Sequence, residues 1–393
     1  MTSANDDRVG TLLTDDLLER IRSRAADHDR ANTFPHDDLA DLAEAGYLTA
    51  FVPAELGGGG LTLEQLCEEQ SRLAAAGPAT ALAINMHHVW VGVARQVRAA
   101  GEDSMDEILA RVMEGAILAF GVSERGNDLV LFGSASQAVP DDDGAGYSFD
   151  GTKIFTSLGP VWTLLGTFGT DRSDPDDPVN VWGFVERDDP GVEIVEDWDT
   201  LGMRATQSYT TILRGAHAPA RRIVRTVAPG PQPDPFLFGI FSSFEILLSA
   251  VYRGIARRAL ELAIGTVKKR RSLKNDAPYS SDPDIRWRIA DAAIELDALD
   301  PQISVLARDV DAGASRDLWL PQLSAVKSRA TETALRVVEK AVRVSGGGSY
   351  YSSSELSRLY RDVLAGLFHP SDDESVHGAW AGALLGPVPK ADA

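Results

Sequence analysis

The sequence predicts an α+β chain in three zones: a helical domain over residues 1–115, a β-sheet domain over 116–227 and a second helical domain over 228–393. Three observations predict it. From about Thr14 to Glu114, apolar residues recur at three- and four-residue spacing, the period of a helix face. From about Ala116 to Val224, short apolar or alternating runs alternate with turn clusters, the grammar of a sheet. After a proline-rich linker at Ala228–Pro235 the helical spacing returns, in segments far too long for strands.

The first zone opens with DDLLERIRSRAADHD and LADLAEAGYLTAFV, breaks at Glu55–Gly60 (ELGGGG) and resumes over Leu61–Leu73. The second carries the strand candidates AILAFGVS, YSFDGTKIFTS, TLLGTFGT, VNVWGFVE and TTILRGAHA, punctuated by DDDGAGY, TDRSDPDDP and RDDPGV. The third predicts long helices over Phe241–Lys269, Asp284–Ala312 and Leu318–Val344. A Gly/Ser/Tyr patch at Ser345–Ser354 then precedes a last helix.

Composition narrows the function classes. The net charge of −20, from 58 acidic and 38 basic residues, repels phosphodiester backbones and anionic lipid surfaces, so neither nucleic acid nor membrane is an expected partner. A single cysteine, Cys67, builds neither a disulfide framework nor a zinc site, and a reducing cytoplasm is the expected compartment. The polar, acidic MTSANDDRVG start shows no export signal, and no run is expected to supply the roughly 18 apolar residues of a bilayer span. No histidine–carboxylate spacing suggests a metal.

Five short words, in order, carry a family resemblance. They are Val52-Pro53-Ala54-Glu55-Leu56-Gly57-Gly58, Ser123-Glu124, Gly151-Thr152-Lys153-Ile154-Phe155-Thr156-Ser157, Leu201-Gly202-Met203-Arg204-Ala205, and Gly346-Gly347 followed by Arg361-Asp362. The chain resembles the acyl-CoA dehydrogenase superfamily over nearly its whole length. The resemblance implies a helical domain, a flavin-facing β-sheet domain and a carboxy-terminal four-helix bundle, assembled as a homotetramer around FAD or FMN. A flavin needs an apolar wall, hydrogen-bonding groups along its ring edge and a phosphate cradle. By resemblance, Phe120, Val122 and Ser123 line the pyrimidine side and Phe155 covers a ring face. Thr156 belongs to the same cofactor-facing strand, and Ser157 points toward N5. The plain alternative for Phe155 and Val122 is β-domain core. Arg270, Arg343, Gly346 and Gly347 fall at the dinucleotide end.

Departures from the family pattern decide between chemistries. The dehydrogenases carry their catalytic base in a Y-E-G word eight residues after R-D, and here that place reads His369-Pro370-Ser371. Proline accepts no proton, and losing a positioned base costs roughly 10²–10⁴ in rate. A second family position for the base, on the first long helix of the last domain, falls on Phe244. Its neighbour Glu245 is rotated by about 100° and is a surrogate base. Glu245 also stands where many relatives keep an arginine that holds CoA, a placement that would repel phosphate. The R-x-x-F-G diphosphate word survives only as Arg270-Arg271-Ser272-Leu273-Lys274, and Asp372 adds negative charge near that end. One branch of the family takes reduced flavin from a separate reductase and transfers oxygen without the Y-E-G glutamate. His369, Ser157 and His88 are the donors such a site would use, with a satisfied core histidine the plain reading of His88.

The resemblance therefore implies a two-component monooxygenase acting on a small organic substrate, with a flavin reductase as partner. The alternative is a thioester dehydrogenase that uses Glu245 or the Asp372–Glu374 cluster as base and an electron-transferring flavoprotein as partner. A flavin-binding paralogue without turnover is the third reading. Both oxidation readings expect a hollow bordered jointly by Ser123, Ser157 and His369.

Overall fold

The computed structural model describes residues 11–142 and 144–386. The acidic start of the chain and one residue of the DDDGAGY turn lie outside them.

Five helices form the first zone: α1 (Asp15–Ala31), α2 (His36–Glu44), α3 (Leu63–Ala76), α4 (Pro78–Ala99) and α5 (Asp106–Met113). Their starts follow local chemistry. The Thr14 hydroxyl accepts from Leu17 N at α1, and Thr62 with Gln65 forms a reciprocal cap at α3.

The second zone is one sheet, with eight strands among the described residues. They are β1 (Leu118–Gly121), β2 (Gln137–Pro140), β3 (Gly146–Thr156), β4 (Leu164–Asp171), β5 (Val179–Glu186), β6 (Val192–Val195), β7 (Tyr209–Pro219) and β8 (Ile223–Val227). The strand order is β6-β7-β3-β2-β4-β5-β8, with β1 pairing in parallel with β4. β2, β6 and β8 were not among the expected strands. Each is four or five residues long and carries at least one exposed position, so its apolar signal is faint.

The third zone contains α6 (Pro235–Lys269), α7 (Pro283–Asp297), α8 (Leu299–Asp311), α9 (Trp319–Ser345), α10 (Glu355–Val363) and α11 (Asp373–Leu385). Two expectations are corrected here. The single helix expected over Asp284–Ala312 is two, α7 and α8, divided at Ala298. Pro301 lacks the N–H that would continue the ladder through that point. The linker prolines also end inside a helix: Asp234 caps α6 and Pro235 fills its first turn, where no N–H is required.

α6 packs against α3, α4 and α9 and is the spine of the molecule. It corrects a third expectation, because by length and composition it is apolar enough to cross a membrane. In this fold 78% of its most apolar window is buried among those helices. Trp90 of α4 joins the layers. Its ring lies 5.0 Å from Phe184 of β5 and 6.1 Å from Phe236 of α6, and its indole N–H donates to Ala119 O at 2.9 Å.

Candidate functional site

β1 and β3 present one wall. Phe120 is nearly buried and stacks on Phe244 of α6 at 5.7 Å, so the position expected for a base carries an aromatic ring facing the sheet. Val122 is buried and belongs to the core. Ser123 is half-buried, and its carbonyl accepts from Ile154 N at 2.9 Å, tying the two strands together. Phe155 is no core residue: it is 55% exposed, meets Trp198 edge-on at 6.0 Å and holds a φ of +58°. That left-handed backbone costs a non-glycine residue about 1–3 kcal/mol. It coincides with a register shift between Lys153 and Thr156 that turns the Phe155 ring outward.

Behind this wall lies a buried ion pair. Lys153 Nζ donates to Glu124 Oε1 at 2.6 Å and to Phe168 O at 2.8 Å. The Ser134 hydroxyl, the amides of Ala135 and Ser136 and the Asn127 side chain also reach the Glu124 carboxylate. Burial alone would raise the Glu124 pKa, but Lys153 and these donors hold it at about 2. Glu124 is therefore scaffold for the Ser123–Ile154 junction.

Thr156 is buried and its hydroxyl has no partner, an unmet group worth about 1–3 kcal/mol if left unpaired. Ser157 begins a chain of hydroxyls: Ser157 Oγ to Ser208 Oγ at 2.8 Å, Ser208 Oγ to Thr206 Oγ1 at 2.8 Å, and Thr206 Oγ1 to Met203 O at 2.9 Å. A carbonyl only accepts, so Thr206 donates to Met203, Ser208 donates to Thr206, and Ser157 donates to Ser208. The lone pairs of Ser157 remain available, and its proton does not.

The hydroxyl chain ends where two of the sequence words meet. Met203 N donates to Asp362 Oδ1 at 2.6 Å, and Arg361 pairs with Asp29 and donates to Leu201 O. A Cβ on Gly202 would stand 2.1 Å from Arg361 O. Asp362 is buried. Its pKa rises to about 6 through that burial, against the Met203 amide bond and the Arg358 charge.

Seven residues on, His369 is half-buried, with Nδ1 3.2 Å from the Tyr252 hydroxyl. Burial, and then the Lys327 charge, push its pKa below the usual value, so the imidazole is neutral. Glu245 is 1% exposed and turned into the helical bundle, where Oε1 accepts from the Ser371 hydroxyl at 2.6 Å. Oε2 has no partner, and burial raises the Glu245 pKa to about 7, against the Ser371 bond and the Lys327 charge. Asp372 caps its own helix, accepting from Ser375 N at 3.0 Å.

His88 of α4 is fully buried with neither ring nitrogen partnered, and it packs edge-on against Tyr47 at 4.8 Å. The satisfied core histidine is its neighbour His87, which contacts Leu48 O at 2.8 Å and accepts from Leu118 N at 3.1 Å. At the dinucleotide end, Arg270 donates to Ser345 O beside Gly346 and stacks over Tyr279 at 4.9 Å. Gly347 is exposed. Arg343 points away and pairs with Glu339 one turn earlier, so it does not join Arg270.

Two clefts, of about 10 and 480 Å³, lie elsewhere, at Asp29/Arg358/Asp362 and at Pro301/Arg329/Trp380. Neither is lined by Ser123, Ser157 or His369. Those residues are connected through packed elements: Ser157 through the hydroxyl chain to Met203 and Asp362, and His369 through Tyr252 to α6, whose Phe244 meets β1. Tyr252, Lys327 and Ser208 were not expected as site residues. Lys327 had a faint signal, a lysine whose neighbours in the helical spacing, Leu323, Ser324, Ala330 and Thr331, are all uncharged. A flat aromatic cofactor is compatible with this lining: an outward Phe155, an unpartnered Thr156 hydroxyl and an accepting Ser157.

Comparison with known proteins places the chain. The family model "Acyl-CoA dehydrogenase, N-terminal domain" matches residues 14–116, and "Acyl-CoA dehydrogenase, C-terminal domain" matches residues 246–373. A putative acyl-CoA dehydrogenase, YdbM of Bacillus subtilis (strain 168), is 28% identical over 364 residues, 92% of each chain. An L-evernosamine nitrososynthase of Micromonospora sp. is 29% identical over 371 residues, covering 90% of this chain and 84% of that protein. The solved structure of KijD3 in complex with FMN and dTDP-3-amino-2,3,6-trideoxy-4-keto-3-methyl-D-glucose superposes with a TM-score of 0.84 at 26% identity. It covers 97% of this chain and 94% of that one.

Proposed function

Because the chain belongs to the acyl-CoA dehydrogenase superfamily, we propose that it works as a flavin-dependent oxidoreductase of the oxygen-transferring kind. It takes reduced FMN or FAD from a separate reductase and oxygenates a small organic substrate. One observation carries this reading: the family's base positions hold no carboxylate facing the sheet. Phe244 stacks on Phe120, Pro370 replaces the glutamate, and the Glu245 carboxylate is turned into the bundle and held by Ser371. An amine is the substrate class favoured by the names of the nitrososynthase relatives and by the amino sugar bound in KijD3.

Bound flavin would supply the electrons that activate oxygen. Phe120, Val122, Ser123, Phe155, Thr156 and Ser157 would hold its ring, with Arg270 and the Gly346–Gly347 turn at its phosphate. A Ser157 that accepts suits a ring nitrogen bearing hydrogen, as in reduced flavin. His369 and the unpartnered His88 would offer donors to an oxygen carrying developing negative charge, and the apolar surroundings would keep water out. With Arg343 and Asp372 both engaged locally, the phosphate end rests on Arg270, which suits a flavin exchanged with a reductase. Assembly of copies as a homotetramer is supported by large apolar side chains left at the surface, Leu273 at 99%, Trp287 at 68% and Ile294 at 71% exposure.

The test mixes the protein with reduced FMN and oxygen and measures hydrogen peroxide release with and without a dTDP-amino sugar. Suppression of peroxide with formation of an oxygenated product supports the reading. Bleaching of bound oxidised FAD by an acyl-CoA without oxygen would overturn it. The unpartnered Glu245 Oε2 favours that second reading, a thioester dehydrogenase, and Glu245→Gln would then abolish the bleaching with flavin content unchanged. A protein that binds flavin and does neither is the paralogue without turnover.

A further inference from the structure

The segment that carries His369 is tied down more completely than any turn requires. Lys327 of α9, 1% exposed, spends its ammonium on three carbonyls of this segment: Gly366 O at 2.9 Å, His369 O at 2.5 Å and Ser371 O at 3.0 Å. The Ser371 hydroxyl lies between Glu245 Oε1 at 2.6 Å and Ser324 Oγ at 3.1 Å. Gly366 sits directly on the two long helices, since a Cβ there would stand 2.3 Å from Thr331 Cγ2 and 2.7 Å from the Tyr252 ring. Burying a lysine is costly unless each of its protons is matched, and here all three are. Within this immobilised backbone the preceding Phe368 is 79% exposed, so the clamp acts on the main chain and on His369 rather than burying the segment.

Tyr252 is fully buried, and a buried phenol O–H needs an acceptor. The acceptor within reach is His369 Nδ1 at 3.2 Å. Nδ1 can accept only when unprotonated, which leaves the imidazole proton on Nε2. We propose that Tyr252 and Lys327 are positioning residues for His369: Lys327 fixes the main chain that carries it, and the Tyr252 hydroxyl selects the tautomer in which Nε2–H is the outward donor. The use made of that donor rests on the oxygen-transfer reading above; the geometry of the clamp does not. Tyr252 supplies the O–H, His369 the Nε2–H, and no net proton is moved.

The experiment uses the full-length protein without flavin, labelled with ¹⁵N-histidine, with His369→Ala identifying the His369 signals. The Nε2–H pattern is expected in the wild type. Tyr252→Phe, which keeps the ring against Gly366, is expected to replace it with a mixture of both neutral forms. A wild type protonated on Nδ1, or a Tyr252→Phe variant with an unchanged pattern, overturns the tautomer assignment. For Lys327, amide hydrogen exchange across 366–371 is expected to accelerate at least about tenfold in Lys327→Met, the loss of three local hydrogen bonds. If Lys327→Met does not fold, Lys327→Gln, which keeps two donors in the same space, gives the comparison. Unchanged exchange in a folded variant overturns the clamp. A wild type with the expected tautomer that binds no reduced FMN removes the oxygen-transfer reading and leaves the positioning assignment standing.

Discussion

Replacing Glu245 with glutamine tests where the one buried carboxylate near the expected base position stands. In the folded protein its pKa rises from the ordinary 4.5 to about 7, chiefly through burial. The folded state therefore holds the proton more tightly than the unfolded chain. Its contribution to stability is complete below pH 4.5 and is lost as the pH rises through 7. The gap between those two values corresponds to about 3 kcal/mol. Glutamine keeps an oxygen for the Ser371 hydroxyl and never ionises. In urea denaturation, wild type and Glu245→Gln should match at about pH 4, and the variant should gain by about 3 kcal/mol at about pH 8. Lys327 loses a favourable neighbour in the variant, which makes that figure an upper bound. A variant less stable than wild type at the higher pH would show that Glu245 is ionised and well solvated in the native protein. Glu245 would then not be sequestered inside the helical bundle.

Other expectations follow from the same contacts. Lys153→Met leaves the Glu124 carboxylate buried without its cation. A loss of about 3 kcal/mol, the low end for breaking a buried pair, is expected because the Ser134, Ala135, Ser136 and Asn127 donors remain, and thermal denaturation reads it. Glu124, at about 2, stabilises the fold above its ordinary 4.5 and loses that contribution as the pH falls toward 2. The same variant should therefore unfold in acid at a higher pH. Gly202→Ala drives a methyl into Arg361 O and should cost about 1–3 kcal/mol while loosening the Met203–Asp362 bond, measurable as faster exchange of the Met203 amide. Arg270→Ala should weaken FMN binding at least several-fold and Arg343→Ala should leave it unchanged, as read by flavin fluorescence titration; the reverse order would place the phosphate elsewhere.

Several features of the site are legible in the amino-acid sequence. Phe155 lies on, and Ser157 just beyond, a strand whose Gly-x-Lys word places a lysine inward, and that lysine pairs with Glu124 of the neighbouring word. The Gly202 and Arg361-Asp362 words, 159 residues apart at their joining hydrogen bond, meet because each is short, conformationally constrained and complementary to the other. What was not legible depended on direction. Glu245 and Phe244 differ by one position, yet one faces the bundle and the other the sheet. His88 and His87 are adjacent, and only His87 finds partners. Arg343 and Arg270 both suggested a phosphate cradle, but Arg343 has Glu339 one helical turn away and takes it.

By itself the sequence determined the order of helical, β and helical zones, since that order rests on hydrophobic periods, caps and prolines that act over a few residues. The tertiary structure decided which side chains those zones present. It turned Glu245 away from the sheet, left the Ser157 lone pairs free by fixing the polarity of a hydroxyl chain, and brought Tyr252 and Lys327 to His369 from helices distant in sequence. The physical reason is that a helical residue's facing changes by about 100° per position and is settled only when neighbouring elements pack. A hydrogen-bond chain likewise acquires its direction only from the carbonyl at its end.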